Sequence, residues 1–398
     1  MFKLATLRRI HFYLALIAMA VGCMGAMNSQ EEFMSEMRHT GTFVGFALLM
    51  WLPMLMPNRY LKFKFPPIGI VSFSFLIFYT LVVIIIFNDE ISTPDKIIRV
   101  FFHGCFFVSL VGCYRWYSFN AIRKADTYIF IVMFFLFLLM YIRIVIYAVS
   151  NLLIAHMVTS YYLLYALPLV LLHKSWRWKI LCIVLAFIAV FSSMKRGGAL
   201  ALVFGLLVYV FVYMHNKSKN VAKTFFLFAV ALCVITGIAL FLGNNIKTDE
   251  KQSNLIERLQ NVEQDGGSNR DHVYAVTWHL ITSQDMPRLI VGNGYNAVLR
   301  DSPIHFSAHN DFMEICYDYG LIGLACYIVF TLSFFFLSFR AFRSKHAVAP
   351  SLCFQFSNFI LLSNVSHIFI YMFMPLVLLT YGISLGQLRY EREGICLQ

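Results

Sequence analysis

The sequence predicts an all-α polytopic membrane protein with about twelve transmembrane helices and one large loop subdomain on the outer face. Three observations predict it. Apolar residues make up 60% of the 398 positions and charged ones only 13%, against about 25% charged in soluble domains. Apolar runs of about 18 residues or more recur from end to end, each long enough to cross about 30 Å of hydrocarbon. The lysines and arginines gather in alternate loops, as the positive-inside rule requires of a multi-pass chain.

The first run, 10–27, follows the basic opening KLATLRR. It exceeds the apolar core of a signal peptide, about 7 to 15 residues, so an uncleaved first span is expected, although GCMGAM offers small residues for cleavage. Further spans are read at 41–57, 66–87, 97–114, 127–149, 152–172, 179–192, 198–214, 224–242, 319–339, 349–364 and 368–387. The last two are split at Ser363-Asn364-Val365-Ser366-His367, a polar cluster suited to a turn.

Orientation follows from charge. Loops on the N-terminal side, with Lys3, hold 20 of the 32 basic residues but only three of the 20 acids, Asp126, Glu391 and Glu393. Both termini are therefore expected in the cytoplasm. The net charge of +12 would suggest nucleic acid in a soluble protein; here its distribution reads as membrane orientation, and no nucleic-acid partner is expected. The 9 cysteines scatter singly, several within spans (Cys105, Cys113, Cys182, Cys233), and read as small packing residues.

One outer loop is out of proportion. Gly243 to Asp318 is 76 residues, with six basic against eleven acidic side chains, net −5. Loops that long are usually functional or disordered. The aromatic and apolar content of this one, with amphipathic stretches at NLIERLQNV and RDHVYAVTWHLI, predicts a folded subdomain resting on the bundle. The chain thus divides into a membrane bundle of about nine spans (1–242), the loop subdomain (243–318), and C-terminal helices with a short tail (319–398).

Three stretches on the outer side are candidates for chemistry. In SAHNDFMEICYDYGLIGL, 307–324, Asp311-x-x-Glu314 resembles a capping box and predicts a helix start near Asp311. His309 and Asn310 then stand ahead of a helix N-terminus, where an anion is favoured and a histidine can act as a base. The alternative is a histidine that only helps to cap the helix. In GGSNRDHVYAVTWHL, Ser268-x-x-Asp271 repeats the pattern and puts Arg270 in the first helical turn. Its guanidinium matches phosphate oxygens, or it is an ordinary surface arginine. In SSMKRGGALALVFG, Lys195 and Arg196 break the positive-inside pattern, and Gly197 and Gly198 would let a head group approach the backbone. A tight interfacial turn with snorkelling cations is the other reading.

Asp311, Glu314 and Arg143 are secondary candidates. Arg143 lies inside the fifth span, roughly 10 Å from its outer end, and either lines a cavity or snorkels. His305 and His309 have an i, i+4 spacing but no third ligand at a recognisable spacing, so no metal is expected there. GNGYN at 292–296 lacks a preceding strand and reads as a turn rather than a nucleotide loop.

Together the outward K-R-G-G turn, the loop arginine Arg270, and AHNDFMEICYDYGLIGL entering the next span resemble the O-antigen ligase and polymerase superfamily. The most specific piece is His309-Asn310 followed about ten residues later by G-x-x-G-L, with Gly320 and Gly323. The resemblance covers roughly residues 180–340.

It implies a GT-C-like glycosyltransferase of the bacterial inner membrane, moving a glycan from undecaprenyl diphosphate to an acceptor sugar on the periplasmic face. Arg196 and Arg270, beside Lys195, would hold the diphosphate, and His309 would activate the acceptor hydroxyl. Asn310 would orient that histidine or the acceptor. Attack at the anomeric carbon inverts its configuration, and arginines can stabilise the leaving diphosphate, so no metal or cofactor is expected. The acceptor is a second repeat unit in a polymerase, with a chain-length regulator as a further partner, or lipid A–core in a ligase. The net −5 loop would repel phosphate-rich lipid A–core and favours the polymerase. A lipid-linked glycan transporter, the more distant alternative, would instead concentrate ionisable residues at mid-membrane and show two related halves; here the polar residues cluster at the outer rim in one asymmetric loop, which weighs against it.

Overall fold

A computed structural model of the chain describes residues 2–29, 67–87, 93–150, 159–193, 195–217, 266–366, 368–369 and 374–392, with single positions at 230 and 237. All regular structure among these residues is helical: α1 (Phe2–Ser29), α2 (Ile68–Phe87), α3 (Thr93–Tyr117), α4 (Lys124–Ser150), α5 (Ser160–Leu171), α6 (Trp176–Ser192), α7 (Arg196–Lys217), α8 (Gly266–Ser283), α9 (Met286–Val291), α10 (Ala297–Asp301), α11 (Asp311–Arg343), α12 (Ala349–Val365) and α13 (Met374–Arg392). The spans expected at 41–57 and 224–242, and the stretch NLIERLQNV, lie outside the described residues. The other ten expected spans overlap helices α1–α7 and α11–α13; the span expected from 319 begins at Asp311, and of those expected at 152–172 and 368–387 the described helices are Ser160–Leu171 and Met374–Arg392.

Among the described residues, α2, α4, α7 and α11 are long and apolar enough to cross a membrane. Their uncovered faces say the same. On α2, Val71, Phe75, Phe78 and Ile85 are between 47% and 63% exposed, and a helix with such an outward face needs lipid beside it rather than water. The chain is a multi-pass membrane protein, all-helical among the described residues. The helix does end at the expected polar cluster: α12 stops at Val365 and Ser366 is extended.

Lipid tails are as apolar as leucine, so helices in a bilayer are held by close packing and by interhelical hydrogen bonds. Both are present. α13 lies on α3, α12 on α7, and α11 between α2 and α12. Gly382 and Gly386, one turn apart, bring α13 so near α3 that an added Cβ would stand 2.8 Å from the Leu110 carbonyl oxygen or from the Tyr117 carbonyl carbon. The Gln387 amide donates to the carbonyls of Tyr117 (3.0 Å) and Asn120 (2.7 Å).

Helix alternation gives the bundle two rims. At one, the Tyr13 hydroxyl donates to Asp126 (2.8 Å), the Arg123 N–H donates to the same carboxylate (2.9 Å), and His346 meets Glu391 at 2.9 Å. Two of the three acids on the basic side are thus held by helix-end contacts. The opposite rim gathers Lys195, His309 and Asn364, and above it α8–α10 pack on the first turns of α11.

Candidate functional site

The start of α11 organises the outer rim. Asn310 is its N-cap: its side-chain oxygen accepts from the N–H groups of Phe312 (3.0 Å) and Met313 (3.2 Å). The capping box expected from Asp311 and Glu314 does not form. The extended backbone of Asn310, φ −151°, already suits a cap, which frees both carboxylates, only 1% and 3% exposed, for other partners. One Asp311 oxygen accepts from the N–H groups of Ile368 (2.9 Å) and Phe369 (3.3 Å), and the other accepts the Tyr327 hydroxyl (2.8 Å). Glu314 accepts the Ala308 N–H at 2.6 Å. Asp318 accepts from the N–H groups of Asn296 (2.9 Å) and Val298 (3.1 Å) and so caps α10. Positions 311, 314 and 318 share a helix face, and each carboxylate on it holds a different segment.

Below this face α11 kinks at Gly320, whose φ is +63°. An added Cβ there would collide with the Ile290 carbonyl, and one on Gly292 (φ +95°) with that of Asp318. The Asn293 N–H donates to Tyr317 O (3.1 Å) and the Gly294 N–H to Asp318 O (3.0 Å), satisfying carbonyls that the kink releases. The GNGYN segment is therefore a turn crossing α11 at its kink. The Tyr79 hydroxyl ties the end of α9 to the span α2, donating to Val291 O at 2.6 Å.

His309 sits between the two clasps made by Glu314 and Asn310, in the left-handed region at φ +52°. The Tyr274 hydroxyl from α8 donates to Asn364 O (2.8 Å) and lies 3.5 Å from His309 O. The Asn310 amide also donates to Asn364 O, at 3.3 Å. The end of α12 thus gathers α8 and the start of α11. Arg270 lies one turn before Tyr274 on α8, and Lys195 enters from the α6–α7 turn. Burial first, then the positive charges of Arg270 and Lys195, lower the pKa of His309 to about 4. Three segments far apart in sequence thus bring two cations to one imidazole. The ring is neutral at pH 7 and keeps a lone pair to accept a proton, while the cations are suited to an anion.

Residues 181–328 match the family described as O-antigen ligase. That stretch, less than half of the chain, is similar to the O-antigen ligase and polymerase superfamily. No curated protein matches the chain.

Several expectations need correction. α8 begins at Gly266, so Arg270 stands in the second turn rather than the first. Gly197 and Gly198 are buried, and the space a Cβ would fill is taken by Tyr161, Val190, Leu362 and Val365. Those glycines seat the start of α7 against its neighbours and leave no opening for a head group. Arg196 is the first residue of α7 and only partly buried, next to Lys195. Arg143 is exposed beside Leu139, Ile142 and Ile146, on the lipid-facing side of α4. It lies on an outward face of the bundle, where snorkelling is the reading that fits. Asn310 has its side-chain oxygen committed to the cap.

Two residues at this rim, Tyr274 and Asn364, went unmarked in the sequence. Tyr274 had a signal: it is i+4 from Arg270, so both project from the same side of α8. Asn364 had a weaker one, in the polar cluster read only as a turn.

Proposed function

We propose that this protein is an inner-membrane glycosyltransferase of about twelve spans and GT-C-like architecture, with both termini in the cytoplasm. It moves a glycan from undecaprenyl diphosphate to an acceptor sugar on the periplasmic face, acting as an O-antigen or polysaccharide polymerase. The observation that carries this reading is the neutral His309 flanked by Arg270 and Lys195 inside an O-antigen ligase domain.

The acceptor hydroxyl attacks the anomeric carbon, its proton passes to His309, and the bond to the diphosphate breaks with inversion. Arg270, Lys195 and Arg196 take the charge that develops on the leaving lipid diphosphate, so no metal ion is needed. The donor also acts on the base. An anion bound at the cations offsets the two charges that depress His309 and so raises its basicity when the acceptor arrives. Ligation to lipid A–core is the second reading, favoured by the description of the matched family. The net −5 outer loop favours a repeat-unit acceptor.

The test is glycan profiling of cells lacking the gene, complemented with wild type or His309→Ala at matched expression. Lipopolysaccharide gels are read beside the carrier-linked pool. Loss of a positioned base should reduce transfer by about 10²- to 10⁴-fold. Core bearing single repeats identifies a polymerase, and bare core with long carrier-linked chains a ligase. A normal ladder with His309→Ala removes the histidine from catalysis.

A further inference from the structure

We propose that Glu314 is a positioning residue that fixes the catalytic conformation of His309 through the backbone on its N-terminal side. The inference rests on the functional reading above. A left-handed backbone at a non-glycine residue is costly and persists only where its surroundings enforce it. Here the enforcement is visible. On the C-terminal side of His309, Asn310 is locked by its two cap bonds. On the N-terminal side, Ala308 is fully buried and gives its N–H to Glu314 at 2.6 Å. Both neighbours are tied to the first turns of α11, and His309 between them is held at φ +52°.

In a capping box the side chain at the third helical position reaches back to the cap residue itself. Glu314 is the fourth residue of α11 and reaches two residues beyond the cap, to Ala308. A device serving only the helix would stop at Asn310. The longer reach encloses His309, and that is the physical ground for giving Glu314 a role in the position of the imidazole.

Glutamine retains an oxygen that can accept the Ala308 N–H; alanine does not. Full-length protein in nanodiscs is supplied with carrier-linked glycan extracted from cells lacking the gene. Glu314→Ala should lower kcat about 30- to 100-fold, the scale of a displacement of about 1 Å, with KM for the donor within about twofold. Glu314→Gln should restore kcat to within about threefold of wild type. In parallel, carbethoxylation of His309 is followed by mass spectrometry. It should speed up severalfold in Glu314→Ala and stay at the wild-type rate in Glu314→Gln.

Unchanged kcat in Glu314→Ala overturns the proposal, as does equal loss in both variants tracking a common fall in Tm. If wild type transfers no glycan while His309 still reacts faster in Glu314→Ala alone, the functional reading fails and the positioning role stands. An unchanged carbethoxylation rate removes the positioning role whatever the activity.

Discussion

At the scale of single residues, His309 is defined by what surrounds it more than by its identity. A histidine whose pKa is lowered to about 4 stays neutral on moving down from pH 7 well past the usual titration near 6.5. The acid limb of kcat/KM, which reports the donor-free enzyme, should therefore lie well below pH 6.5. The limb of kcat should lie higher, because bound diphosphate offsets Arg270 and Lys195. Arg270→Gln removes one repelling charge and should move the kcat/KM limb toward higher pH. It also removes a charge-assisted contact worth about 1.5–3 kcal/mol, or roughly 10- to 100-fold in donor affinity. pH–rate profiles of the two proteins check this; coincident acid limbs would show that Arg270 does not act on the histidine.

Among the elements, α11 matters most. Its first nine residues belong to the outer assembly and the rest to the membrane, and Gly320 is the joint between them. The joint requires glycine twice over: φ is positive, and the space for a Cβ is filled by the Ile290 backbone. Gly320→Ala should destabilise the protein by about 3 kcal/mol or more, seen as a lower Tm in detergent and less protein in the membrane fraction. Full recovery of folded Gly320→Ala would mean that the crossing of the 292–294 turn over α11 tolerates a methyl group. The kink was not legible as a kink. G-x-x-G-L stood out only through a family resemblance, because nothing in the spacing of two glycines says which one bends a helix.

Over the molecule as described, charged groups lie at the two rims. Arg123, Arg343 and Lys345 stand at helix ends on one side, and Lys195, Arg270 and His309 converge on the other. Phe306 and Ser344 are exposed on opposite rims. In intact spheroplasts a membrane-impermeant maleimide should label Phe306→Cys but reach Ser344→Cys only after permeabilisation, with wild type giving the background. The reverse pattern would invert the orientation and put His309 in the cytoplasm, away from a periplasmic reaction.

The sequence by itself determined the class of the protein, the places of most of its described helices and the unusual polar residues that gather at one rim. These depend on local quantities: apolar run length against hydrocarbon thickness, and the sign of charge in each loop. It also marked His309, Arg270 and Lys195 individually. Only the tertiary structure decided that they meet, since 114 positions separate Lys195 from His309 and no periodicity spans that distance. It likewise reassigned Asp311 and Glu314 from a helix cap to anchors for distant backbone, and closed the space beside Gly197 and Gly198. Those outcomes depend on which donors and side chains arrive from elsewhere in the chain, a matter of packing that local sequence does not contain.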